Sequence, residues 1–561
     1  SLSWSGTAVT RVETDYLQDS QIIRASSNGG EGYFFMPWGL NRAALIVAWK
    51  HGSQQSIPAA SVEWSHAIAS QKQARISGQS VEVLKFNGIE ESLLLIPIGG
   101  QNSDTHFPDS NSSWALISLE NDNDLEPALR EFARWRGDLD PSSLVERELT
   151  DLDRWRVTPS VKFINSEEQH LWRQSEVMLR MAQSREPNRP GRYSHGLIVA
   201  SLPDGVWFTP WVRDMAYATV AFARMGHQAE ARDALRAYFN ARPTGKMRAE
   251  TKGADYQISV VRYFGDGSEE PFFTMEGSTN IEFDDWGLAL WALGQYMRKY
   301  DDTALLSTAT FRGPLYESAR DYIVKPLLAN LEPYKDGLIV AADTSIWEER
   351  QKDAKHFAFS TAAAIAGLRE FAEIARRIGD DPTRALLADR LALLERGFNA
   401  AFIRDGKLRG TLEPGIKNDI DGALLAIIRL GVVTDPAVIR DTVERMELLK
   451  VASGGYRRVR STYTDPAIFE YWYERQEFVF VDLSLAEVLR RMGRTADADA
   501  ILRRIVEKAA ADHNIIPEMY VAVPCPLFPG KIGDPTSARP MAGYGAGAFI
   551  LHLLDRESVR P

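Results

Sequence analysis

Four stretches of this sequence bring carboxylates, aromatic rings and arginine close together. WFTPWVRDMAY holds Trp207, Trp211, Arg213 and Asp214, and NIEFDDWGL holds Glu282, Asp284, Asp285 and Trp286. SIWEER holds Trp347, Glu348 and Glu349, and NIIPEMY holds Glu518. A fifth stretch, GGYRRVRSTYTDP, adds Arg457 and Arg458. Acids beside aromatic rings suit a sugar, whose C–H face rests on an aromatic side chain while its hydroxyls bond to carboxylates. Cleaving a glycosidic bond needs one carboxylic acid to protonate the leaving oxygen and one carboxylate to activate water or attack the sugar. Further acids and an arginine would hold hydroxyls through charge-assisted hydrogen bonds.

Taken singly, each cluster has an ordinary explanation. Arg213–Asp214 and Asp284–Asp285 stand where helices begin, and acids there complement the helix dipole or cap the first turn. Glu348 or Glu349 alone would pass for a solvated surface acid, although the tryptophan beside them is a poor surface residue. Glu518 alone is unremarked. The functional reading gains from the clusters falling in different long connections, and that depends on the elements around them.

Two regions differ in pattern. Stretches such as ALIVAWKHG, SVEVLKFNG, ESLLLIPIGG and SWALISLEN are short, rich in β-branched and aromatic residues, and bounded by Gly, Asn or Ser. They predict an antiparallel β-sandwich over 1–125, followed by a helical linker over 126–164. From 165 to 561 apolar residues recur at i, i+3, i+4. Twelve helices are expected: 166–184, 213–226, 228–241, 284–300, 314–330, 357–378, 383–401, 420–431, 436–447, 477–492, 495–511 and 542–555. Their connections alternate short and long. Helix–helix joins usually run about 2–8 residues, and longer ones tend to carry function. Six helical hairpins in a ring would set all the long loops at one end. The predicted fold class is therefore multidomain: an N-terminal antiparallel β-sandwich, then an all-α (α/α)6 barrel with a funnel walled by those loops.

Composition bounds the partners. The chain has 561 residues and a formal net charge of −11, which disfavours nucleic acid and leaves a neutral sugar unaffected. Cys525 is the single cysteine, so an internal disulfide and a cysteine-based zinc site are excluded. The nine histidines show no metal-ligand spacing, and neither a metal nor another cofactor is expected. No apolar run reaches the roughly 18 residues that span a bilayer, so no membrane partner is expected. The sequence starts at Ser1, which fits a removed leader with a periplasmic or secreted location, and fits a cloning boundary as well.

These segments resemble glycoside hydrolase family 15, the glucoamylase-type enzymes, including bacterial members that carry an N-terminal β-sandwich. WFTPWVRDMAY, NIEFDDWGLALWAL, SIWEERQKDAKHFAFSTAAAIAGL, RQEFVFVDLSLAEVLRRMGRTADADAIL and IIPEMY…ARPMAGYGAGAFI follow the family's order from about 165 to 555. The resemblance implies an inverting, exo-acting α-glycosidase that releases a sugar such as glucose from a non-reducing end. It implies Glu348 as general acid and Glu518 as general base. It also implies substrate contacts from Trp207, Trp211, Arg213, Asp214, Asp284, Trp286, Trp347, Glu349, Arg457 and Tyr544, with Arg457 chosen over Arg458. Departures from the family pattern are GYGAG where it has Ser-His, and WEERQ without a glycine after the arginine. An inverting phosphorylase on the same barrel would not need the Glu518 carboxylate. A non-catalytic carbohydrate-binding protein would not need the pair of glutamates. An isoprenoid cyclase, suggested by FDDWG, would need an acidic motif that is absent.

Overall fold

A computed structural model describes residues 2–5, 12–27, 30–51, 59–62, 64–76, 78–99, 112–203, 207–271, 280–349, 354–415, 417 and 419–558. The chain divides into two compact units, Ser1–Thr158 and Pro159–Pro561.

In the first unit β1 (Leu2–Ser5) pairs with β6 (Ala59–Val62). Eight strands form one continuous antiparallel sheet: β2 (Glu13–Tyr16), β3 (Ile23–Ser27), β4 (Gly30–Phe35), β5 (Ala44–His51), β7 (Ile68–Ile76), β8 (Gln79–Phe86), β9 (Ser92–Ile98) and β10 (Ser113–Leu119). Their order is β2-β3-β4-β5-β10-β9-β8-β7. Alternating side chains serve the two faces. Ile46 and Ala48 of β5, Ile96 of β9 and Ile117 of β10 join one core, while Val47, Leu95 and Trp114 join another. The first core also takes in Leu129 and Phe132 of α1 (Leu125–Arg136) and Leu144 of α2 (Pro141–Trp155). The stretch read from sequence as a linker thus spends its amphipathic faces on this sheet.

Each of the twelve helices expected in the second unit has a helical counterpart. They are α3 (Ser166–Ala182), α4 (Val212–Met225), α5 (Gln228–Asn240), α6 (Asp284–Tyr300), α7 (315–329), α8 (Ala358–Ile378), α9 (Asp381–Phe402), α10 (Ala423–Arg429), α11 (Pro436–Arg445), α12 (Val479–Arg491), α13 (Thr495–Ala510) and α14 (542–558). Helix α7 is interrupted by a π turn at Arg320–Val324. Pro326 has no N–H to return to the Tyr322 carbonyl, and that carbonyl accepts the Gln257 N–H instead, at 2.9 Å. Helix α14 opens with a second π turn, Ala542–Gly547.

The even-numbered helices pack in sequence, α4 on α6, α6 on α8, α8 on α10, α10 on α12, α12 on α14, and α14 back on α4. They are apolar nearly all round: in α4 only Arg224 escapes burial. The odd-numbered helices carry one apolar stripe, as α5 does with Ala231, Ala234, Leu235 and Tyr238. Glycines set the closest approach. A Cβ at Gly287 of α6 would lie 2.3 Å from the Ala363 carbonyl carbon of α8, and one at Gly367 would lie 2.2 Å from the Gly287 oxygen. No helix among the described residues is long and apolar enough to cross a membrane.

Candidate active site

The sequence clusters meet at the N-terminal ends of the even-numbered helices. Arg213 and Asp214 lie in the first turn of α4, where the chain enters from the extended residue Trp211. Arg213 is 3% exposed. Its Nη2 donates to Glu348 Oε1 at 2.9 Å. Its Nη1 is ion-paired with Glu282 and lies 3.8 Å from Asp285 Oδ1. Burial alone would lower the pKa of this guanidinium; Tyr544, Asp285, Asp284 and Glu348 outweigh it and raise the value above the ordinary one. Arg213 is thus a fixed cation among acids.

The acids around it are raised as well, and in them burial is the cause. Burial pushes the Asp214 carboxyl up to about 7 against the pull of Arg213, with Glu518 and Glu348 adding to the rise. Burial pushes Asp284 up to about 6, and Arg213 again opposes it. Asp285 stands well above its ordinary value, from burial first, with Asp284 and Glu348 adding to the rise. Asp214 Oδ1 and the Tyr544 hydroxyl are buried and find no hydrogen-bond partner among the described residues.

Glu348 sits on a turn and keeps its side chain 28% exposed. Trp347 beside it is buried, and its indole N–H donates to Asp421 Oδ1 at 2.5 Å. Glu349 turns the other way and lies 3.1 Å from Lys355 Nζ and 3.7 Å from Lys417 Nζ.

Glu518 precedes a short strand, Met519–Tyr520, paired with Glu477–Phe478. Its Oε2 accepts the Trp207 indole N–H at 2.8 Å and the Ser537 hydroxyl, and its Oε1 accepts the Tyr473 hydroxyl. Trp207 meets Trp211 edge to face at 5.7 Å. Tyr544 stacks on Phe480 at 4.1 Å and meets Tyr217 edge-on at 5.3 Å.

Two assignments need correction. Arg457 is not at this cluster: its Nη2 reaches the Leu448 carbonyl at 3.3 Å in an exposed setting, and its charge faces Arg475 and Arg460. Arg458 is the half-buried arginine that faces inward, with its guanidinium 4.7 Å from the Tyr473 ring, 5.3 Å from Phe478 and 5.5 Å from Trp347. Burial would lower its pKa, but Tyr473, Glu474, Glu518 and Glu348 together raise it. Adjacent residues in an extended segment point to opposite sides, and here the second one points inward. Trp286 is also displaced from a substrate role. It is fully buried, its indole N–H is satisfied by the Ile258 carbonyl at 2.9 Å, and it packs between Phe283 and Tyr256.

The sequence reading missed several neighbours. Glu282 and Asp285 lie in the quoted NIEFDDWGL, yet only Asp284 and Trp286 were selected there. Tyr473 and Asp343 gave no signal of their own, one being a tyrosine in an aromatic run and the other a lone aspartate before a tryptophan-containing turn. Among the described residues no group of histidine, cysteine and acid side chains could hold a metal ion.

Comparison with known proteins gives this cluster a context. Residues 173–438 match the family described as glycosyl hydrolases family 15. No curated protein matches the chain in sequence. Among solved structures, a bacterial glucoamylase complexed with acarbose is 14% identical, covering 98% of this chain and 86% of that one with a TM-score of 0.65. A glycosidase variant in complex with glucose is 19% identical, covering 71% and 98% with a TM-score of 0.51. The Hormoconis resinae glucoamylase is 13% identical, covering 71% and 74% with a TM-score of 0.52. At these identities the structures speak for the fold. Through residues 173–438 the chain is similar to the glycosyl hydrolases of family 15.

Proposed function

We propose that this glycoside hydrolase is an inverting, exo-acting α-glycosidase of glucoamylase type, with Glu348 as general acid and Glu518 as general base. The observation that carries the reading is Arg458. Its guanidinium lies over the rings of Trp347, the residue before Glu348, and of Tyr473, whose hydroxyl bonds Glu518. The two glutamates thereby share one neighbourhood, as a bond to be cleaved between acid and base requires. Inversion needs the carboxyls about 6.5–9.5 Å apart, with room for one water.

The closed succession of even-numbered helices supports an (α/α)6 barrel, with the odd-numbered helices outside and the long loops around one mouth. A mouth floored by inner helices accepts a chain end, which suits exo action. The N-terminal unit, an eight-stranded antiparallel sheet with apolar side chains on both faces, is the part that the sandwich reading assigns to 1–125. Arg213 and Asp214 would clamp hydroxyls of the terminal sugar, and the unpaired Asp214 Oδ1 and Tyr544 hydroxyl are suited to receive them. Trp207, Trp211 and Trp347 would border the sugar, and Asp284 would set the field around Arg213. The acarbose and glucose complexes of the structural neighbours favour α-glucosides such as maltooligosaccharides.

Glu348→Gln tests the reading. General acid catalysis contributes roughly 10²–10⁴-fold, so kcat on a maltooligosaccharide should fall by that factor with KM little changed. A variant that keeps more than about a tenth of kcat removes Glu348 from the acid role.

A further inference from the structure

Glu348 is held in a backbone conformation that glutamate rarely adopts, and the groups that hold it are buried and otherwise unused. Glu348 has φ +54°, and Ser345 in the same turn has φ +51°. Left-handed conformations of this kind are strained at non-glycine residues and persist where the surroundings over-determine them. The turn closes with the Glu348 N–H on the Ser345 carbonyl at 3.0 Å and the Glu349 N–H on the Thr344 carbonyl at 2.9 Å.

Beneath the turn lies Ser360, in the first turn of α8. Its hydroxyl donates to Asp343 Oδ2 at 2.7 Å and lies 2.9 Å from Ser345 Oγ. Asp343 Oδ2 also accepts the Phe283 N–H at 3.1 Å. The Thr344 N–H donates to the Ile281 carbonyl at 2.7 Å, and Thr344 Oγ1 accepts the Ile281 N–H at 3.0 Å. Asp343, Thr344, Ser345 and Ser360 are all fully buried. Burial, with Asp284 nearby, holds the Asp343 carboxyl well above its ordinary value. The segment 281–283 that braces the turn also carries Glu282, the acid paired with Arg213, and Arg213 in turn holds Glu348. Arginine and backbone therefore fix the glutamate from two sides.

We propose that Ser360, together with Ser345 and Asp343, is a positioning residue set that acts through Glu348 by locking the 345–348 turn. The proposal rests on the acid role given to Glu348, and the choice of substrate separates the two. An α-glucosyl fluoride expels fluoride and needs no proton on its leaving group; maltose expels a sugar alkoxide and needs one. Ser360→Ala and Ser345→Ala should each lower kcat on maltose about 10–100-fold, the scale of an acid misplaced by about an ångström. KM should stay within about threefold, and turnover of α-glucosyl fluoride should fall far less. Ser360→Ala added to Glu348→Gln should cause no further loss, because a group acting only through Glu348 has nothing left to act on. Full maltose activity in the serine variants, or equal losses on both substrates, would overturn the positioning role. Equal losses on both substrates in Glu348→Gln itself would instead overturn the acid assignment. Should Ser360→Ala fail to fold, as thermal melting would reveal, Ser345→Ala leaves α8 untouched and carries the same test.

Discussion

Replacing Asp214 with asparagine should flatten the dependence of stability on pH. In the folded chain the Asp214 carboxyl is pushed from an ordinary 3.8 up to about 7, chiefly by burial. Between pH 4 and 7 the folded state therefore keeps a proton that the unfolded state has lost. Stability then decreases as pH rises through this window, is undiminished below it and changes no further above it. At 1.36 kcal/mol per pH unit, the full difference is about 4 kcal/mol. The unfolding entropy of a unit of roughly 400 residues is about 0.85 kcal/mol/K, so this corresponds to a Tm change of about 5 °C. Asparagine cannot titrate, but it also removes a charge facing Arg213, so the slope rather than the absolute Tm carries the result. The assay is a thermal melt of the helical unit's transition at several values from pH 4 to 8, for both proteins. The wild-type protein should lose about 5 °C more than Asp214→Asn across that range. Asp284 titrates in both proteins and cancels in the difference. Parallel curves, agreeing within about 1 °C, would mean that Asp214 is not the buried, proton-retaining acid described above.

The two arginines should behave in opposite ways. Arg458→Ala should lower kcat/KM about 10–30-fold, since it removes a cation packed over the Trp347 and Tyr473 rings, a contact of up to about 2 kcal/mol, from beside the two glutamates. Arg457→Ala should leave kcat/KM within about threefold; the reverse ranking in steady-state kinetics would reinstate Arg457. Trp286→Phe should cost about 1–3 kcal/mol of stability, through the orphaned Ile258 carbonyl, with KM unaltered. A raised KM in a stably folded Trp286→Phe protein would return that residue to the sugar site.

Much of the helical unit was legible because periodicity survives burial. A helix such as FSTAAAIAGLREFAEIARRI keeps its apolar spacing wherever it packs, and all twelve expected helices have counterparts. The π turn in α7 was not legible, since it depends on which distant N–H meets the carbonyl freed by Pro326. Nor did the strand pattern distinguish a continuous eight-stranded sheet from two layers, because alternation reports faces and not neighbours. Among the candidate-site residues, Arg213, Asp214, Glu348 and Glu518 could be proposed because acids and aromatics stood together in long loops. The choice between Arg457 and Arg458 turned on one step of an extended segment, which no local pattern fixes. Trp286 misled for a related reason: an inner helix is apolar on every side, so a tryptophan at its start looks the same whether it meets a sugar or Phe283 and Tyr256. Ser360 was invisible because a serine in an alanine-rich helix marks nothing until the turn above it is seen.

The most direct test of the two-glutamate account is the anomeric configuration of the first product, followed by proton NMR during hydrolysis of an α-linked maltooligosaccharide. Direct attack by one water activated by Glu518, with the leaving oxygen protonated by Glu348, predicts β-glucose before mutarotation. α-Glucose appearing first would require a covalent intermediate and would contradict the assignment of acid and base made here.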